Sequence, residues 1–327
     1  AAPAPPTDDE VFHPSIRTLR RLPEGNARAA FAVLVRSAFG GYADTRNATQ
    51  ILDLLRLVKL HVRQLVGSAS QRQRAAHLRE QLSGTVLVQD VSSLDLEVAR
   101  ATDDERAVRT AVRLVKEGYP GKAATALARA PTAHQDFAKT LADLRALHPA
   151  DTPPTTRDAR VSPFAFTAME VQAAAARACK GAAPGPSGWT DELLPDVVAS
   201  NDDLARDFAA LCSDIACGFA PLCSPDPAVR KLLTRSRLVG IPKDPTGTRP
   251  IALGETFMKL ASSLAMAAMK AKFTRLFDDV QKGLFASGGA DSIVHRTRAH
   301  LRQHEDHVVV TLDVRNAFNC MRRTAIV

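Results

Sequence analysis

The stretch SRLVGIPKDPTGTRPIAL, from Ser236 to Leu253, sets the architecture expected for the second half of the chain. Two short apolar runs, Arg237 to Ile241 and Arg249 to Leu253, predict two strands, and the polar Asp-Pro-Thr-Gly segment between them predicts a turn. Lys243 precedes this turn and Arg249 follows it. Because Arg provides a planar fork and Lys a point charge, such a ribbon suits a triphosphate. The alternative is a surface hairpin with incidental charges.

A glycine-containing loop follows in QKGLFASGGADSIVHRTRAHLRQH, from Gln281 to His304. It holds Gly283, Gly288 and Gly289 and leads into a predicted helix. Two adjacent glycines at a helix entrance permit close approach of another backbone, and free amides at a helix N-terminus attract phosphate. The loop is not a P-loop, because the Gly-Lys-Ser/Thr ending is missing.

The segment HVVVTLDVRNAFN, from His307 to Asn319, combines an apolar run with a carboxylate. Val308 to Leu312 predict a buried strand, and Asp313 stands where that strand ends. A carboxylate there is costly unless it is paired or bound to a metal. Phe318 begins a predicted helical turn five residues later and could lie over the same site. The alternative is that Asp313 caps a helix.

The regions upstream are predicted to be mostly helical. The clearest amphipathic runs place apolar residues three or four apart, at Ile51, Leu54, Leu55, Val58, Val62 and Leu65, then Val108, Val112 and Val115, then Phe137, Leu141 and Leu144. Residues 1–150 form a helical region and residues 151–163 a Pro- and Thr-rich linker. Residues 164–327 form a second domain, in which Thr167 and Glu170 predict a capping box. Its loop PGPSGWT, Pro184 to Thr190, is expected to be rigid.

Composition excludes several classes of protein. The 327 residues are 45% hydrophobic and 24% charged, which excludes a disordered or collagen-like chain. Five cysteines form no even framework, which predicts free thiols rather than disulfides or a zinc site. No signal peptide is predicted, and the most apolar window, around Lys259, is too short to span a membrane. The net charge is +8, and residues 228–327 hold 17 basic and eight acidic side chains, which favours an anionic partner.

Together and in this order, the four segments resemble reverse transcriptases of non-LTR retrotransposons, in particular site-specific elements with a restriction-like endonuclease. Pro184 to Thr190 is similar to the loop that precedes the fingers, and Ile241 to Leu253 to the fingers ribbon. Gln281 to Asp291 is similar to the Q-x-G block, and Leu312 to Asn319 to the first palm motif. The resemblance implies a mainly α fold with a small α+β part: a helical N-terminal region, then fingers and an incomplete palm.

The activity that this resemblance implies is RNA-directed DNA polymerisation by two-metal nucleotidyl transfer, with two Mg²⁺ ions in the complete enzyme. Asp313 matches the first carboxylate ligand, and the carbonyl of Val314 would join the metal shell. Lys243 and Arg249 match residues that hold the incoming triphosphate, and Phe318 matches the steric gate. The positions matched to template or primer contacts are Gln281, Gly283, Gly288 and Gly289. The implied partners are an RNA template, a DNA primer and deoxynucleoside triphosphates, in the nucleus or cytoplasm.

One departure from the family predicts that this chain alone is inactive. The aromatic-x-Asp-Asp motif that supplies the other metal ligands is missing, and the sequence stops at Val327, 14 residues after Asp313. One carboxylate cannot place two ions. Ser287 also stands where relatives often carry a basic residue. The alternatives are a non-catalytic nucleic-acid-binding relic of a retroelement, a helical scaffold without a ligand, and a group II intron maturase, against which the Gly-Gly-Ala-Asp block argues.

Overall fold

The computed structural model describes residues 7–12, 16–63, 70–83, 103–116, 118–128, 137–148, 164–178, 181–218, 227–243, 247–277, 280–314 and 317. Its first eight helices are α1 (Asp8–Val11), α2 (Asn26–Phe39), α3 (Tyr42–Thr45), α4 (Ala48–His61), α5 (Gln71–Leu82), α6 (Asp103–Lys116), α7 (Pro120–Ala128) and α8 (Phe137–Leu147). Next come α9 (Ala168–Arg177), α10 (Leu194–Ala199), α11 (Asp202–Ala216) and α12 (Pro227–Thr234). The last elements are β1 (Ser236–Lys243), β2 (Gly247–Gly254), α13 (Thr256–Phe277) and α14 (Gly289–Gln303). The prediction of a mainly α fold with a small β part is confirmed.

One hydrophobic core extends from the N-terminal helices into the region after residue 164. The rings of Phe31 and Trp189 lie 5.5 Å apart between centroids, and those of Phe39 and Phe208 lie 5.1 Å apart. The face of α4 predicted from its apolar spacing is buried in this core. Residues on both sides of the expected boundary therefore pack together. The linker at 151–163 lies outside the described residues, and the domain limits stay a prediction.

Two buried acidic side chains of α11, Asp207 and Asp214, bind residues of the N-terminal region. Buried Asp207 accepts hydrogen bonds from the backbone N–H groups of Gly41 and Ala43, at 2.9 and 2.8 Å. The Tyr42 hydroxyl donates to the buried carboxylate of Asp214 at 2.9 Å. Burial raises the pKa of Tyr42, and the Asp214 charge raises it further. These two carboxylates of α11 therefore hold the region around α3 inside the fold.

Helix α6 differs from the pattern that predicted it. It packs on α7 through Ala111 and Leu114, whereas Val108, Val112 and Val115 are exposed. The helix itself is confirmed, but its apolar run is not its buried face. The buried side is set by the partner helix, and small Ala111 allows α7 to come close.

Two local predictions after residue 164 are confirmed. The Thr167 hydroxyl accepts a bond from the Glu170 N–H at 3.3 Å, and the Glu170 carboxylate accepts one from the Thr167 N–H at 2.8 Å, completing the capping box. Strands β1 and β2 form the expected antiparallel hairpin. Within the described residues, no helix is both long and apolar enough to cross a bilayer.

Candidate functional site

The register of the ribbon decides which side chains share a face. Ile241 pairs with Arg249, Arg237 pairs with Leu253, and Lys243 pairs with Gly247. Because side chains alternate along a strand and paired residues point the same way, Arg237 and Arg249 belong to one face, whereas the side chain of Lys243 lies outside the described part of the structure. Arg237 and Arg249 are exposed there. Sequence reasoning found Arg249 and missed Arg237, which the register places on the same face, four positions along β1 from Ile241, the partner of Arg249.

Part of the opposite face of the ribbon, around Gly240 and Thr248, packs against α8. The hydroxyl of Thr248 donates to the Asp143 carboxylate at 2.8 Å. A Cβ added at Gly240 would stand 2.7 Å from Thr140 Cγ2 and 2.9 Å from Thr248 Cγ2. Gly240 therefore lets α8 lie directly on the strands. Arg237 and Arg249 are exposed on the other face, so a ligand has access to them there.

The loop PGPSGWT packs against the base of the ribbon. A Cβ at Gly185 would lie 2.7 Å from the carbonyl oxygen of Gly254, so the loop backbone runs directly against the last residue of β2. The Thr256 hydroxyl donates to the carbonyl of Trp189 at 2.8 Å. The Trp189 indole N–H donates to the Leu54 carbonyl on α4 at 2.8 Å. This loop therefore joins the ribbon to the helical body.

Two buried ionisable groups lie at this junction, and sequence reasoning found neither. Glu255 accepts bonds from the backbone N–H and the hydroxyl of Ser187. Burial raises the pKa of Glu255 to about 7, although the Ser187 bonds and nearby lysines lower it. Lys59 donates to the Ile16 carbonyl at 2.7 Å, and burial, reinforced by the Arg237 charge, lowers its pKa to about 8. For Glu255, the one signal in the sequence is its position in the segment Gly-Glu-Thr, directly after a predicted strand.

The glycine block folds against the entrance of α14 as predicted. Gly288 adopts the left-handed conformation, with a φ of 62°, and precedes the first residue of the helix. At buried Gly289 a Cβ would stand 1.7 Å from the carbonyl oxygen of Lys282. Gln281 is exposed, and its side-chain oxygen accepts a bond from the Gly283 N–H at 2.7 Å. The backbone that approaches Gly289 closely is that of Lys282, in the same loop. Contacts of this loop with template or primer stay a proposal.

The buried strand predicted before Asp313 is wrong. Residues 307–314 form no strand, and their apolar side chains are exposed: Val308 by 84%, Val309 by 52%, Val310 by 73% and Leu312 by 90%. A strand needs neighbours for its backbone hydrogen bonds, and β1 and β2 pair only with each other in the described part of the chain. Asp313 and Val314 are exposed, and Phe318 lies outside the described residues.

The described residues contain no cluster of three or more potential metal ligands. Nowhere in those ranges do three histidine, cysteine, aspartate or glutamate side chains come together in a way that could hold an ion. Asp313 therefore belongs to no such group among the described residues, and the expected magnesium site stays a prediction. Cys212 is buried and its pKa is raised to about 12 by that burial, as expected of a small apolar side chain.

The structure thus brings together some predicted residues and not others. The loop at 184–190 meets the base of the ribbon, and the glycine block meets α14. Asp313 remains apart as an exposed carboxylate. Comparison with known protein families, curated proteins and solved structures finds no match to this chain.

Proposed function

We propose that this chain is the fingers-bearing part of an RNA-directed DNA polymerase of the non-LTR retrotransposon kind. In this proposal the ribbon binds the phosphates of a nucleic acid and of deoxynucleoside triphosphates. The observation that carries it is the uncovered face shared by Arg237 and Arg249, opposite the face that packs on α8. Guanidinium groups are well matched to phosphate oxygens, and both arginines are exposed.

The junction below the ribbon supports the same proposal. A triphosphate must be held at a fixed position to react, so a binding ribbon needs a firm base. Here the base is held by the Ser187–Glu255 bonds and by Trp189 in the core. The motif order in the sequence adds the expectation that Gln281 and the glycines lie near template or primer.

The second candidate is nucleic-acid binding without catalysis by this chain. The observation that favours it is Asp313, an exposed carboxylate that belongs to no group of three or more metal-ligating side chains among the described residues. In the complete enzyme, Asp313 and the Val314 carbonyl would hold Mg²⁺, and that ion would supply charge stabilisation during phosphoryl transfer. Both candidates predict that the ribbon binds phosphate. They differ in whether the chain takes part in catalysis.

Binding of an RNA–DNA template–primer, followed by fluorescence anisotropy over a salt series, tests the proposal. We expect affinity to fall steeply with salt, because counterions are released when phosphates are contacted. Arg249→Gln should weaken binding and reduce the slope of log K against log salt by about 0.9, the value for one phosphate contact. Arg72→Gln, an exposed arginine on α5, is the matched control. Wild-type affinity and slope in Arg249→Gln would contradict the proposal.

A further inference from the structure

Three imidazoles cluster where α14 ends. The ring centroids of His300 and His304 lie 4.6 Å apart, those of His304 and His307 4.7 Å, and those of His300 and His307 5.0 Å. All three side chains are exposed. Neither the ribbon nor the glycine block uses these residues, so the cluster is independent of the proposed polymerase function.

The backbone holds the cluster in place. The His304 N–H donates to the His300 carbonyl at 3.0 Å, and the His307 N–H donates to the His304 carbonyl at 3.1 Å. The end of the helix and the following turn therefore fix the three side chains on one side of the chain. Because the spacing comes from helix and turn geometry, the imidazoles stay close without a bound ligand.

The two nitrogens that face each other belong to His300 and His307. His300 Nε2 and His307 Nδ1 are 2.9 Å apart, so one of them carries a proton that the other accepts. Two imidazole nitrogens bound to one Zn²⁺ at 2.0–2.1 Å in tetrahedral geometry stand about 3.3 Å apart. To bind one ion, the two rings need only a small rotation. The proton between them must also move to the other nitrogen of the ring that carries it, so that both facing nitrogens can bind the metal.

From this arrangement we propose that His300 and His307 form a two-imidazole binding site for a divalent transition metal such as Zn²⁺, with water completing its coordination. Imidazole is a preferred ligand for Zn²⁺, Cu²⁺ and Ni²⁺, whereas Mg²⁺ takes oxygen ligands. This site is therefore distinct from any magnesium site at Asp313. The His304 ring packs against both ligand rings and limits their rotation. Glu305 and Asp306, in the adjoining turn, add negative charge that favours a cation.

Metal binding here would join two parts of the chain. His300 lies in the last turn of α14, and His307 begins the exposed segment that leads to Asp313. An ion held by both residues would close the turn between them and fix the direction in which that segment leaves the helix. The bound ion would thus hold residues 308–314 in a fixed orientation relative to α14.

Calorimetric titration of the metal-free 327-residue chain with Zn²⁺ tests the proposal. We expect one ion to bind to the wild type and to His295→Ala, a matched control on an exposed histidine of the same helix. His300→Ala and His307→Ala should each weaken that binding by on the order of tenfold or more. Circular dichroism of each variant checks that α14 still forms.

Three results would overturn the proposal. The first is no binding to the wild type, and the second is equal binding to all four proteins, which would place the ion elsewhere. The third is unchanged Zn²⁺ binding in His300→Ala and His307→Ala together with weakened RNA binding, which would make the rings a stacking surface for bases.

Discussion

Ser187 donates its backbone N–H to one carboxylate oxygen of Glu255 over 2.8 Å, and its hydroxyl donates to the other, although the residues are 68 positions apart. Both residues are buried. Glu255 stands between β2 and α13, and Ser187 lies in the loop that carries Trp189. The pair therefore fixes the base of the ribbon to the helical core at one point.

Removing the Ser187 hydroxyl should loosen this junction. Ser187→Ala leaves a buried carboxylate oxygen without its donor, so we expect the free energy of unfolding to fall by about 1–3 kcal/mol. Denaturant titration measures this change. Ser263→Ala, at an exposed position of α13, is the control and should leave stability nearly unchanged. Equal stabilities in the two variants would mean that the pair does not hold the junction.

The two buried ionisable groups should give stability a minimum between about pH 7 and pH 8. The pKa of Glu255 is raised from 4.5 to about 7. Between these two pH values the folded state binds more protons than the unfolded state, so stability falls as the pH rises. The pKa of Lys59 is lowered from 10.5 to about 8, so the unfolded state binds more protons between those values, and stability rises with pH.

Two variants separate these contributions in denaturant titrations over a pH series. Glu255→Gln should remove the fall between pH 4.5 and about 7, and Lys59→Met should remove the rise between about pH 8 and 10.5. Lys270→Met, at an exposed position of α13, should keep the wild-type profile. A wild-type profile in both test variants would show that neither group governs the pH dependence.

The glycine at the entrance of α14 should not tolerate a side chain. A Cβ at Gly289 would overlap the Lys282 carbonyl, so Gly289→Ala should force the loop away from the helix. We expect a loss of about 1–3 kcal/mol in stability, together with faster amide exchange in residues 281–289. Gly121→Ala, with no atom within 4 Å of the added Cβ, is the control. Unchanged exchange in Gly289→Ala would contradict this packing.

Arg237 should contribute to nucleic-acid binding as Arg249 does. Because the register places both on the uncovered face, Arg237→Gln should reduce the salt slope of RNA–DNA binding by about 0.9, and the double variant by about twice that. Anisotropy over a salt series measures both slopes. If Arg237→Gln alone keeps the wild-type slope, the ligand does not reach the base of the ribbon.

The 327-residue chain should not extend a primer on an RNA template. Asp313 is the one palm carboxylate matched in its sequence, and a single carboxylate cannot place two ions. Incorporation of labelled deoxynucleotides is the measurement, with Asp313→Ala as the control. Extension by the wild type that is abolished in Asp313→Ala would contradict the expectation.

Local patterns predicted local structure well. The capping box at Thr167 and the hairpin around Lys243 depend on neighbouring residues, so the sequence contains what is needed to predict them. The buried side of α6 is set by its packing on α7, which the spacing of its apolar residues does not reveal. A strand before Asp313 would need partners from elsewhere in the chain, and there the prediction failed. Glu255 was missed for the same reason, since its partner Ser187 becomes a neighbour only in the folded chain.

The indole of Trp189 reaches the carbonyl of Leu54 across 135 residues of sequence, and this sets an order of events during synthesis. Helices α2 and α4 bury their apolar faces partly against residues that are made much later. Until the loop at 182–190 has left the ribosome, those apolar faces lack a principal packing partner and remain exposed, so they can associate with other chains. The N-terminal helices are thus expected to need protection, for example by a chaperone, while the rest is translated.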